Sequence, residues 1–365
     1  MKRVLHVVNS MNRGGQETLI MNLYRNIDRS RVQFGFLVTD PSEGDYDREI
    51  LGMGGEIFKV DPAKRDIRHI TPLLQCRKMS KVLRGLRERY DVVHFHNHHA
   101  YSSLLEVVAA KSAGIGRVLL HSHNTSGPNV RVHKLVRPLL RFFNIERLAC
   151  SKEAAEWMFG KDCADVEIVN NAIDRKAFAY NPDARVRIRE EFGFTKDAKV
   201  VLHVGRFNYQ KNHRFLLEIF KRMHQLDDHC RLVLVGRGEL EEEIRNIVKA
   251  EGLEEVVVFA GIRSDIPDVM SGSDLFLFPS LFEGLPVVLV EVQVNGLRCV
   301  CSDVISGEVR CSERMRAQSL DSDSEVWASV ALEELRKDRK AASPETGKNF
   351  DIKEVAAHVQ KKYLS

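Results

Sequence analysis

Short runs of β-branched and aromatic residues alternate along this chain with longer amphipathic stretches, and this alternation restricts the fold more than any other feature. Such alternation is typical of βαβ units, which build a largely parallel sheet covered by helices. The first half has expected strands at residues 3–8, 34–38, 92–96, 117–121, 148–151 and 166–169, and helices at 17–26, 73–89 and 102–113. The second half repeats the theme, with strands at 199–204, 231–235, 256–259 and 275–278 and helices at 212–225, 239–251 and 286–295. The sequence therefore predicts an α/β protein with two Rossmann-like domains in tandem.

The boundary between these domains is expected where the strand periodicity stops. Residues 170–181 contain an Asn-Asn pair, Asp174 and an Asn-Pro step, all of which favour turns. Ser-Pro and Thr-Gly steps in 340–349 predict a linker, and a final helix is expected at 352–363. We expect an N-terminal domain at 1–172, a second domain at 173–345, and a C-terminal segment at 346–365 that packs back on the N-terminal domain.

Composition narrows the class of protein. Of the 365 residues, 44% are hydrophobic and 29% are charged, which is typical of a globular protein and excludes disordered and collagen-like chains. No run approaches the ~18 apolar residues of a membrane-spanning helix, and the apolar run at 4–8 is too short for a signal-peptide core. We therefore expect a cytoplasmic protein. The seven cysteines form no C-x-x-C pair, which predicts reduced, mostly buried thiols.

Charge is distributed unevenly along the chain. Residues 1–150 carry 24 Lys and Arg against 14 Asp and Glu, whereas residues 151–365 carry 31 against 37. Two basic stretches, 73–89 and 131–147, interleave cations with apolar residues. Basic amphipathic helices suit an anionic membrane surface, here the inner face of the plasma membrane, and a solvated basic face is the alternative. Nucleic acid is not an expected partner, because aromatic residues are not interleaved with the cations of these stretches in a pattern suited to stacking on bases.

Two loops carry features suited to anions. Gly14-Gly15 lies between the first strand and its helix, where backbone N–H groups can approach a phosphate, although a plain turn also explains the pair. Arg206 and Lys211 lie five residues apart, after the first strand of the second half. Open α/β sheets bind ligands at that end, and two such cations suit a diphosphate. A solvated basic loop is the alternative, and the P-loop pattern is absent.

Two further segments follow strands of the second half. Gly236-Arg237-Gly238 lacks the third glycine of the dinucleotide fingerprint, so backbone approach to a nucleotide and a tight turn both stay open. In the segment 279–291, Glu283 and Glu291 flank Pro286, which suits the first turn of a helix. An unpaired carboxylate in a run as apolar as this one is costly, which favours a functional role for Glu291 over surface decoration.

Histidines accumulate at the ends of two strands predicted to be neighbours. They are His94, His96, His98 and His99 after one strand, and His121 and His123 after the next. No carboxylate or cysteine joins them at ligand spacing, so polar lining of a cleft is favoured over a metal site. Two D-x-D strings, at 45–47 and 321–323, are interpreted as loop acids.

Taken together, these segments resemble the family 4 retaining glycosyltransferases of the GT-B fold, in particular the branch that builds bacterial capsular polysaccharides and exopolysaccharides. The matching segments are 12–23, 91–100, 121–126, 149–160, 169–174, 203–213, 234–240 and 278–297, and the most specific reads FPSLFEGLPVVLVEVQVNGL. The resemblance implies two Rossmann-like domains that face each other across a cleft. Ala172 and Arg298 depart from the family pattern, where Gly and Pro are usual.

The resemblance also implies roles for individual residues. Gly15 would approach the donor phosphates, and Gly14, Gly236 and Gly238 belong to the same expected donor-binding set. Arg206 and Lys211 would neutralise the departing diphosphate, and Glu283 would contact the donor sugar. The Gly284-Leu285 backbone would bind phosphate, Glu291 the ribose, and His123, or alternatively His121, would lie near the transferred sugar.

The function that the resemblance implies is sugar transfer from a nucleotide-diphosphate donor, a UDP-sugar, to a glycan acceptor linked to polyprenyl diphosphate. It implies no metal and no cofactor. The alternatives are a nucleotide-sugar 2-epimerase, which can share this fold and donor, and a catalytically inactive nucleotide-sugar-binding protein.

Overall fold

The computed structural model describes residues 1–60, 71–97, 99–127, 129–339 and 341–365. The chain forms two compact units. Unit 1 comprises residues 1–172 and 349–365, and unit 2 comprises residues 173–348. Lys340, the first residue of the predicted linker, lies outside the described residues.

Unit 1 is built on a parallel sheet, for which the described residues supply seven strands. These are β1 (Lys2–Val8), β2 (Val32–Val38), β3 (Glu56–Lys59), β4 (Val92–Asn97), β5 (Arg117–Ser122), β6 (Glu146–Ala149) and β7 (Glu167–Ile168), in the order β3-β2-β1-β4-β5-β6-β7. The helices are α1 (Gly15–Asn26), α2 (Asp47–Gly52), α3 (Thr71–Leu86), α4 (Ala100–Ser112), α5 (Val130–Val136) and α6 (Lys152–Phe159), and a 3-10 helix spans Arg137–Phe142. The central strands are buried along most of their length, and their apolar residues are interrupted by His6 in β1 and by His94 and His96 in β4.

Unit 2 repeats this architecture. Its strands are β8 (Lys199–Val204), β9 (Cys230–Val235), β10 (Val257–Gly261), β11 (Leu275–Phe278), β12 (Arg298–Ser302) and β13 (Met315–Gln318), in the order β10-β9-β8-β11-β12-β13. Its helices are α7 (Pro182–Glu191), α8 (His213–Leu226), α9 (Glu241–Ala250), α10 (Ile266–Gly272), α11 (Val287–Asn295) and α12 (Ser324–Leu335), and short 3-10 helices span Tyr209–Lys211 and Gly307–Val309. The described strand pairs are parallel. The predicted α/β fold class is thereby confirmed.

The last helix, α13 (Ile352–Leu364), belongs to unit 1. Its buried residues Ile352, Ala356, Val359 and Tyr363 recur at helical spacing and pack into the same core as α1 and β1. Lys362 pairs with two carboxylates of the sheet, Glu146 at 2.9 Å and Glu167 at 2.7 Å. The chain therefore returns to the unit in which it began.

The strands that the sequence analysis missed are short or atypical. β3 and β13 have four residues each and are only partly buried, so neither contains the apolar run that identifies a strand. β12 is buried, but two of its five residues are cysteines, which are not a strand signal. No helix among the described residues has the length and apolar character needed to cross a bilayer.

Candidate active site

Lys211 and Glu283 form a largely buried ion pair in unit 2, although 72 residues separate them along the chain. Lys211 follows β8 and Glu283 follows β11, and these strands are neighbours in the sheet. Lys211 Nζ lies 2.6 Å from Glu283 Oε1, and the two side chains are 16% and 8% exposed. Gln210 Nε2 donates to the other carboxylate oxygen at 3.0 Å, and Lys211 Nζ lies 4.6 Å from the centre of the Phe278 ring. At the carboxyl edge of the sheet, the positive charge of Lys211 is therefore already balanced by the carboxylate of Glu283.

The loops that carry this pair are joined to each other through the backbone. The N–H of Leu281 donates to the carbonyl of Gln210 at 2.8 Å. Asn212 adopts a left-handed conformation with φ of 55°, which asparagine tolerates better than most residues. Its side-chain amide donates to the carbonyl of Pro279 at 3.2 Å. These contacts fix the spacing between the cation and the carboxylate.

Arg206 contacts the neighbouring glycine turn, and its role at a diphosphate stays a prediction. Its side chain is 70% exposed and pairs with Glu239 at 3.1 Å, rather than joining Lys211 and Glu283. Glu239 follows the Gly-Arg-Gly turn. The structure therefore brings Lys211 and Glu283 together directly, whereas Arg206 is held at the neighbouring turn by a solvent-exposed contact.

Gly236 and Gly238 are required by the packing of two loops. A Cβ on Gly236, where φ is +137°, would lie 2.0 Å from the carbonyl oxygen of Gly205, and a Cβ on Gly238 would lie 2.3 Å from that of Phe207. The N–H of Phe207 donates to the carbonyl of Arg237 at 3.0 Å. Loop packing alone therefore explains why both positions are glycine. The contact of these glycines with a nucleotide stays a prediction.

Glu291 lies in the fifth position of α11, and Pro286 is the N-cap residue rather than a residue of the first turn. Leu285 is buried, and Gly284 and Glu291 are partly buried. Desolvation raises the pKa of Glu291 from its ordinary 4.5 to about 7. Among the described residues no hydrogen-bonding or ionic partner of the Glu291 carboxyl group is found. This carboxyl group is therefore suited to a polar ligand near the start of α11.

Gly14 and Gly15 form the N-terminus of α1 in unit 1. Gly14 is the N-cap residue in an extended conformation, and α1 begins at Gly15. A Cβ on Gly14 would meet only the end of the Glu17 side chain, and a Cβ on Gly15 would meet nothing within 4 Å. Since the fold itself does not require a glycine at position 15, close approach of a ligand is a sufficient reason for one.

Five histidines form a buried cluster on one face of the unit 1 sheet. They are His6 on β1, His94 and His96 on β4, His121 on β5 and His123 just after it. His6 Nδ1 lies 2.8 Å from His96 Nε2, and His96 Nδ1 lies 2.9 Å from His123 Nε2. Burial lowers the pKa of His6 to about 3 and lowers the pKa of His94, His96 and His121 well below its usual value. Ring nitrogens of His96, His121 and His123, and of His6, His94 and His96, lie within 4.8 Å of one another.

The remaining predicted residues lie outside this cluster. His98 is outside the described residues, and His99 precedes α4, where its Nδ1 accepts from the N–H of Tyr101 at 3.3 Å. Acids of both D-x-D strings have local structural roles. Asp47 accepts from the N–H of Gly44 at 3.0 Å, and Asp323 caps α12 by accepting from the N–H of Val326 at 2.9 Å.

Comparison with known families decides what kind of site this is. The family described as "Glycosyltransferase Family 4" matches residues 13–177, and that described as "Glycosyl transferases group 1" matches residues 184–311. Glycosyltransferase EpsF of Bacillus subtilis (strain 168) is 36% identical over 368 residues, which cover 98% of this chain and 92% of EpsF. The chain belongs to glycosyltransferase family 4. Lys211, Glu283 and Glu291 lie within the second matched range, and Gly15 and His123 within the first.

Other glycosyltransferases match the chain at lower sequence identity. The UDP-Gal:alpha-D-GlcNAc-diphosphoundecaprenol alpha-1,3-galactosyltransferase of Escherichia coli is 29% identical over 68% of this chain and 66% of its own length. The capsular polysaccharide biosynthesis glycosyltransferase CapH of Staphylococcus aureus is 24% identical over 100% of this chain and 99% of its own length. Anabaena HepE, crystallised with UDP and glucose, superposes with a TM-score of 0.80 at 18% identity, covering 100% of both chains. The predicted family, GT-B fold and glycosyltransferase activity are confirmed.

Several residues of this glycosyltransferase escaped sequence reasoning. Gln210 and Glu239 contact predicted residues, but a single glutamine or glutamate in a polar loop gives no signal. His6 interrupts the apolar run at 4–8, and a single histidine within a strand gives no signal of a cluster. Its membership of the cluster follows from strand register, since β1 pairs with β4 so that His6 lies opposite His94.

Proposed function

We propose that this glycosyltransferase moves a sugar from a UDP-sugar to a glycan linked to polyprenyl diphosphate, in the synthesis of a capsular polysaccharide or exopolysaccharide. The transfer retains the anomeric configuration and uses no metal. The observation that carries the proposal is the buried Lys211–Glu283 pair at the carboxyl edge of the unit 2 sheet. That edge is where open α/β sheets bind ligands.

The chemistry of glycosyl transfer explains why a cation and a carboxylate are needed together. In the transition state the sugar gains positive charge and the departing diphosphate gains negative charge. Lys211 stabilises the diphosphate, and Arg206 adds a second cation when it exchanges Glu239 for phosphate. Glu283 accepts hydrogen bonds from sugar hydroxyls. Cations that are held in place before the reaction lower the barrier without reorganisation, so Lys211 and Arg206 supply the charge that a metal supplies in other enzymes.

The donor nucleotide is bound by α11 and its preceding loop. The backbone of Gly284-Leu285 and the first N–H groups of α11 offer donors to phosphate oxygens. Glu291, which has no partner among the described residues, accepts from the ribose hydroxyls. UDP is favoured as the nucleotide because HepE was crystallised with UDP and the galactosyltransferase of E. coli is named for UDP-Gal.

The acceptor class is inferred from the names of relatives. The E. coli relative is named for a diphosphoundecaprenol acceptor, and CapH for capsular polysaccharide biosynthesis. A lipid-linked acceptor requires a protein that works at a membrane surface. Unit 1 supplies candidate contacts in α5 and the 3-10 helix after it, where Leu135 and Phe142 are 79% and 77% exposed.

Three cations lie within a few residues of these apolar side chains in the sequence. Arg131, Lys134 and Arg141 are exposed and suit an anionic bilayer at about 1 kcal/mol each. Arg141 Nε donates to the carbonyl of Pro138 at 3.1 Å but its side chain stays exposed, whereas two other cations of the predicted basic stretch are less exposed and are bonded within the protein. Arg137 donates to the carbonyl of Glu156 at 3.2 Å, and Arg147 pairs with Asp165 at 2.7 Å. The basic surface available to a membrane is therefore smaller than the stretch 131–147 suggests in the sequence.

A donor and acceptor assay tests the reaction. The pure protein is incubated with a panel of UDP-sugars and a polyprenyl-diphosphate-linked sugar, and nucleotide release, product mass and anomeric configuration are measured without divalent metal and with EDTA. We expect UDP release only with the acceptor, and an α-linked product from an α-linked donor. An isomerised UDP-sugar without acceptor would indicate the epimerase. Binding of UDP-sugar with no turnover on any acceptor would indicate a binding protein.

A co-sedimentation assay tests the membrane contact separately. The protein is spun with vesicles of phosphatidylglycerol and phosphatidylcholine over a series of salt concentrations. We expect binding that increases with the anionic fraction, decreases with salt and is lost in L135S/F142S. The matched control is L226S, which removes a leucine that is 67% exposed in unit 2. Equal loss of binding in both variants would overturn the assignment of the surface.

A further inference from the structure

Helices α3 and α4 of unit 1 pack against each other, and two cavities lie between them. The smaller has a volume of about 340 Å³ and the larger a volume of about 640 Å³. Cys76 lines both cavities, so together they form one groove, the α3–α4 groove. Volumes of this size are typical of small-molecule sites.

The α3–α4 groove begins at the carboxyl edge of the unit 1 sheet and extends away from it. Thr39, which follows β2, and Ser102, in the first turn of α4, line the smaller cavity. Arg84 and Ser112, in the last turns of α3 and α4, line the larger one. From Cys76 to Arg84 the helix rises by about 12 Å, at ~1.5 Å per residue. The groove is therefore long enough for a ligand with a sugar at one end and a diphosphate further along.

Three cations of α3 line the larger cavity, and none of the described residues that line it is acidic. Arg77, Lys81 and Arg84 are spaced by four and three residues, which places them on one face of the helix. All three are exposed, and within the described part of the chain none of them forms an ion pair. Arg84 Nη2 donates to the carbonyl of Ser112 at 3.1 Å, which directs this side chain across the groove. Because like charges at this spacing repel each other, the cavity is suited to an anion with more than one negative charge.

The smaller cavity offers a different chemistry. Met79, Tyr101 and Leu105 supply apolar wall, and Glu106 supplies a carboxyl group. Glu106 Oε2 accepts from the side-chain amide of Asn97, the last residue of β4, at 2.7 Å. This hydrogen bond fixes the carboxyl group to the sheet. Apolar walls with a few fixed polar groups are typical of small-molecule sites, and here they suit a sugar ring with its hydroxyl groups.

The α3–α4 groove is also close to the proposed membrane contact. α4 packs against α5 and against the 3-10 helix after it, and these two elements expose Leu135 and Phe142. One helix therefore separates the groove from the side chains expected to touch the bilayer. A lipid-linked diphosphate lies at the bilayer surface while its chain stays in the bilayer, so this position favours such a diphosphate over a freely diffusing anion.

We propose that the α3–α4 groove binds the lipid-linked acceptor, with its diphosphate on Arg77, Lys81 and Arg84 and its sugar in the cavity beside Glu106. The inference rests on the proposed function and names the site that its acceptor would occupy in unit 1. Arginine binds phosphate oxygens through paired N–H groups, and lysine binds them as a point charge. The headgroup phosphate of an anionic lipid has the same chemistry, so the experiments must distinguish the two sources.

Binding of farnesyl diphosphate, a soluble lipid diphosphate, tests the cations without any activity. The compound is titrated into the full chain by calorimetry in the absence of nucleotide. We expect R77Q/K81Q/R84Q to weaken binding at least about tenfold, since several charge-assisted contacts are lost. The matched control is R29Q/K353Q/K361Q, which removes three exposed cations elsewhere on unit 1 and changes the net charge equally. Equal weakening in both variants would show that net charge alone explains binding and would overturn the proposal.

Two further measurements locate the bound phosphate. We expect farnesyl diphosphate to slow hydrogen–deuterium exchange in α3 and α4, and UDP not to displace it. Displacement by UDP would place the compound in the donor site and overturn the proposal. Vesicle binding that is lost in R77Q/K81Q/R84Q, while the affinity for farnesyl diphosphate is unchanged, would assign the cations to lipid headgroups and overturn it as well.

Kinetics with two acceptors test the site during transfer. With a polyprenyl-diphosphate-linked sugar we expect R77Q/K81Q/R84Q to raise the acceptor KM at least about tenfold and to leave the KM for the UDP-sugar unchanged. With a methyl glycoside of the same sugar, which has no diphosphate, the variant should match the wild-type protein. An equal rise with both acceptors would mean that the cations act through the fold, and the inference would be wrong.

Replacement of Glu106 tests the other end of the groove. E106A should raise the KM for both acceptors, because its carboxyl group is expected to contact the sugar. Unchanged KM values in E106A at equal Tm would overturn the placement of the sugar. If no transfer is detected with any donor, the proposed function fails, and the titration with farnesyl diphosphate still shows whether the groove binds a lipid diphosphate.

Discussion

At the scale of single residues, Lys211 is held by Glu283 before any substrate arrives. A charge that is largely buried is tolerated only when it is paired, and Glu283 provides the partner at 2.6 Å. The same carboxylate is expected to bind the donor sugar. When the donor binds, Glu283 would therefore share its contacts between Lys211 and the sugar hydroxyls. The cation therefore needs no movement into place when the diphosphate departs.

The replacement K211A tests this electrostatic role. We expect turnover to fall by about 10²–10³, the usual effect of losing one preorganised electrostatic contact. Loss of Lys211 also removes the cation that balances the Glu283 carboxylate, to which Gln210 still donates, so Tm is measured in parallel. The matched control is K221A, which removes an exposed lysine that pairs with Glu251 on the same unit. Full activity in K211A would show that the assignment is wrong.

The raised pKa of Glu291 predicts that the stability of the protein depends on pH. Its pKa is raised to about 7 in the folded protein, above the value in an unfolded chain, so the folded state binds the proton more tightly. The stability associated with this proton is present below pH ~4.5 and is lost as the pH rises toward ~7. At ~1.4 kcal/mol per pKa unit, the loss is up to about 3 kcal/mol. We therefore expect E291Q to raise the free energy of unfolding at pH 8 and to leave it nearly unchanged at pH 4.5.

The same replacement should weaken nucleotide binding, because the ionised carboxylate is the better acceptor for ribose hydroxyls. In the wild-type protein we expect UDP affinity to increase from pH 6 to pH 8 with release of a proton, measured by calorimetry in two buffers. E291Q should lose this pH dependence. E218Q, at an exposed position on α8, is the control. A pH dependence that persists in E291Q would assign it to another group.

At the scale of elements, the two loops after β8 and β9 act as one unit. Gly238 lies against the backbone of Phe207, in the loop that carries Arg206 and leads to Lys211. We expect G238A to lower the free energy of unfolding by about 1–3 kcal/mol, the range for inserting a methyl group into a packed site, and to weaken UDP binding by displacing that loop. G307A is the control, since a Cβ there meets nothing within 4 Å. Equal stability of the two variants would contradict the close packing.

Replacement of Gly15 is expected to leave stability intact, unlike that of Gly238, because the fold leaves room for a Cβ at position 15. Alanine also favours a helix over glycine by about 0.5–1 kcal/mol, so G15A should keep or slightly raise Tm. We expect kcat/KM to fall at least about tenfold if the backbone approaches the donor, as displacement of bound groups has large effects on rate. G85A, in the last turn of α3, is the matched control, since a Cβ there also meets nothing within 4 Å. Unchanged kinetics in G15A would show that a plain turn explains the glycine pair.

The sequence was informative where the signal is local. Strands such as β4 and β8 and helices such as α8 were predictable because buried parallel strands and amphipathic helices have distinct periodicities. Lys211 and Glu283 were each predictable from their loops, but their pairing was not, since it depends on the order of β8 and β11 in the sheet. The bond between His6 and His96 depends on strand register in the same way. Arg206 was predictable from its loop as a cation for a diphosphate, but its contact with Glu239 was not, since that contact depends on the packing of two glycine turns.

At the scale of the whole molecule, the chain closes unit 1 with its last helix. α13 joins the core that contains α1 and β1, and Tyr363 is fully buried there. The hydroxyl of Tyr363 lies 2.7 Å from His94 Nδ1, and Arg117 donates to the carbonyls of Tyr363 at 3.2 Å and Lys362 at 2.7 Å. The stability of unit 1 therefore depends on residues that follow unit 2 in the sequence.

The replacement Y363A tests this dependence. Removing a buried aromatic side chain typically costs about 3–5 kcal/mol, and here it also leaves His94 Nδ1 without its partner. We expect hydrogen–deuterium exchange to increase in α1, β1 and α13 and to stay unchanged in the strands of unit 2. Y363F, which keeps the ring and removes only the hydroxyl, should lose about 1–2 kcal/mol, and Y209A, at an exposed tyrosine of unit 2, should show no effect. Equal increases in exchange in both units would mean that α13 does not stabilise unit 1 selectively.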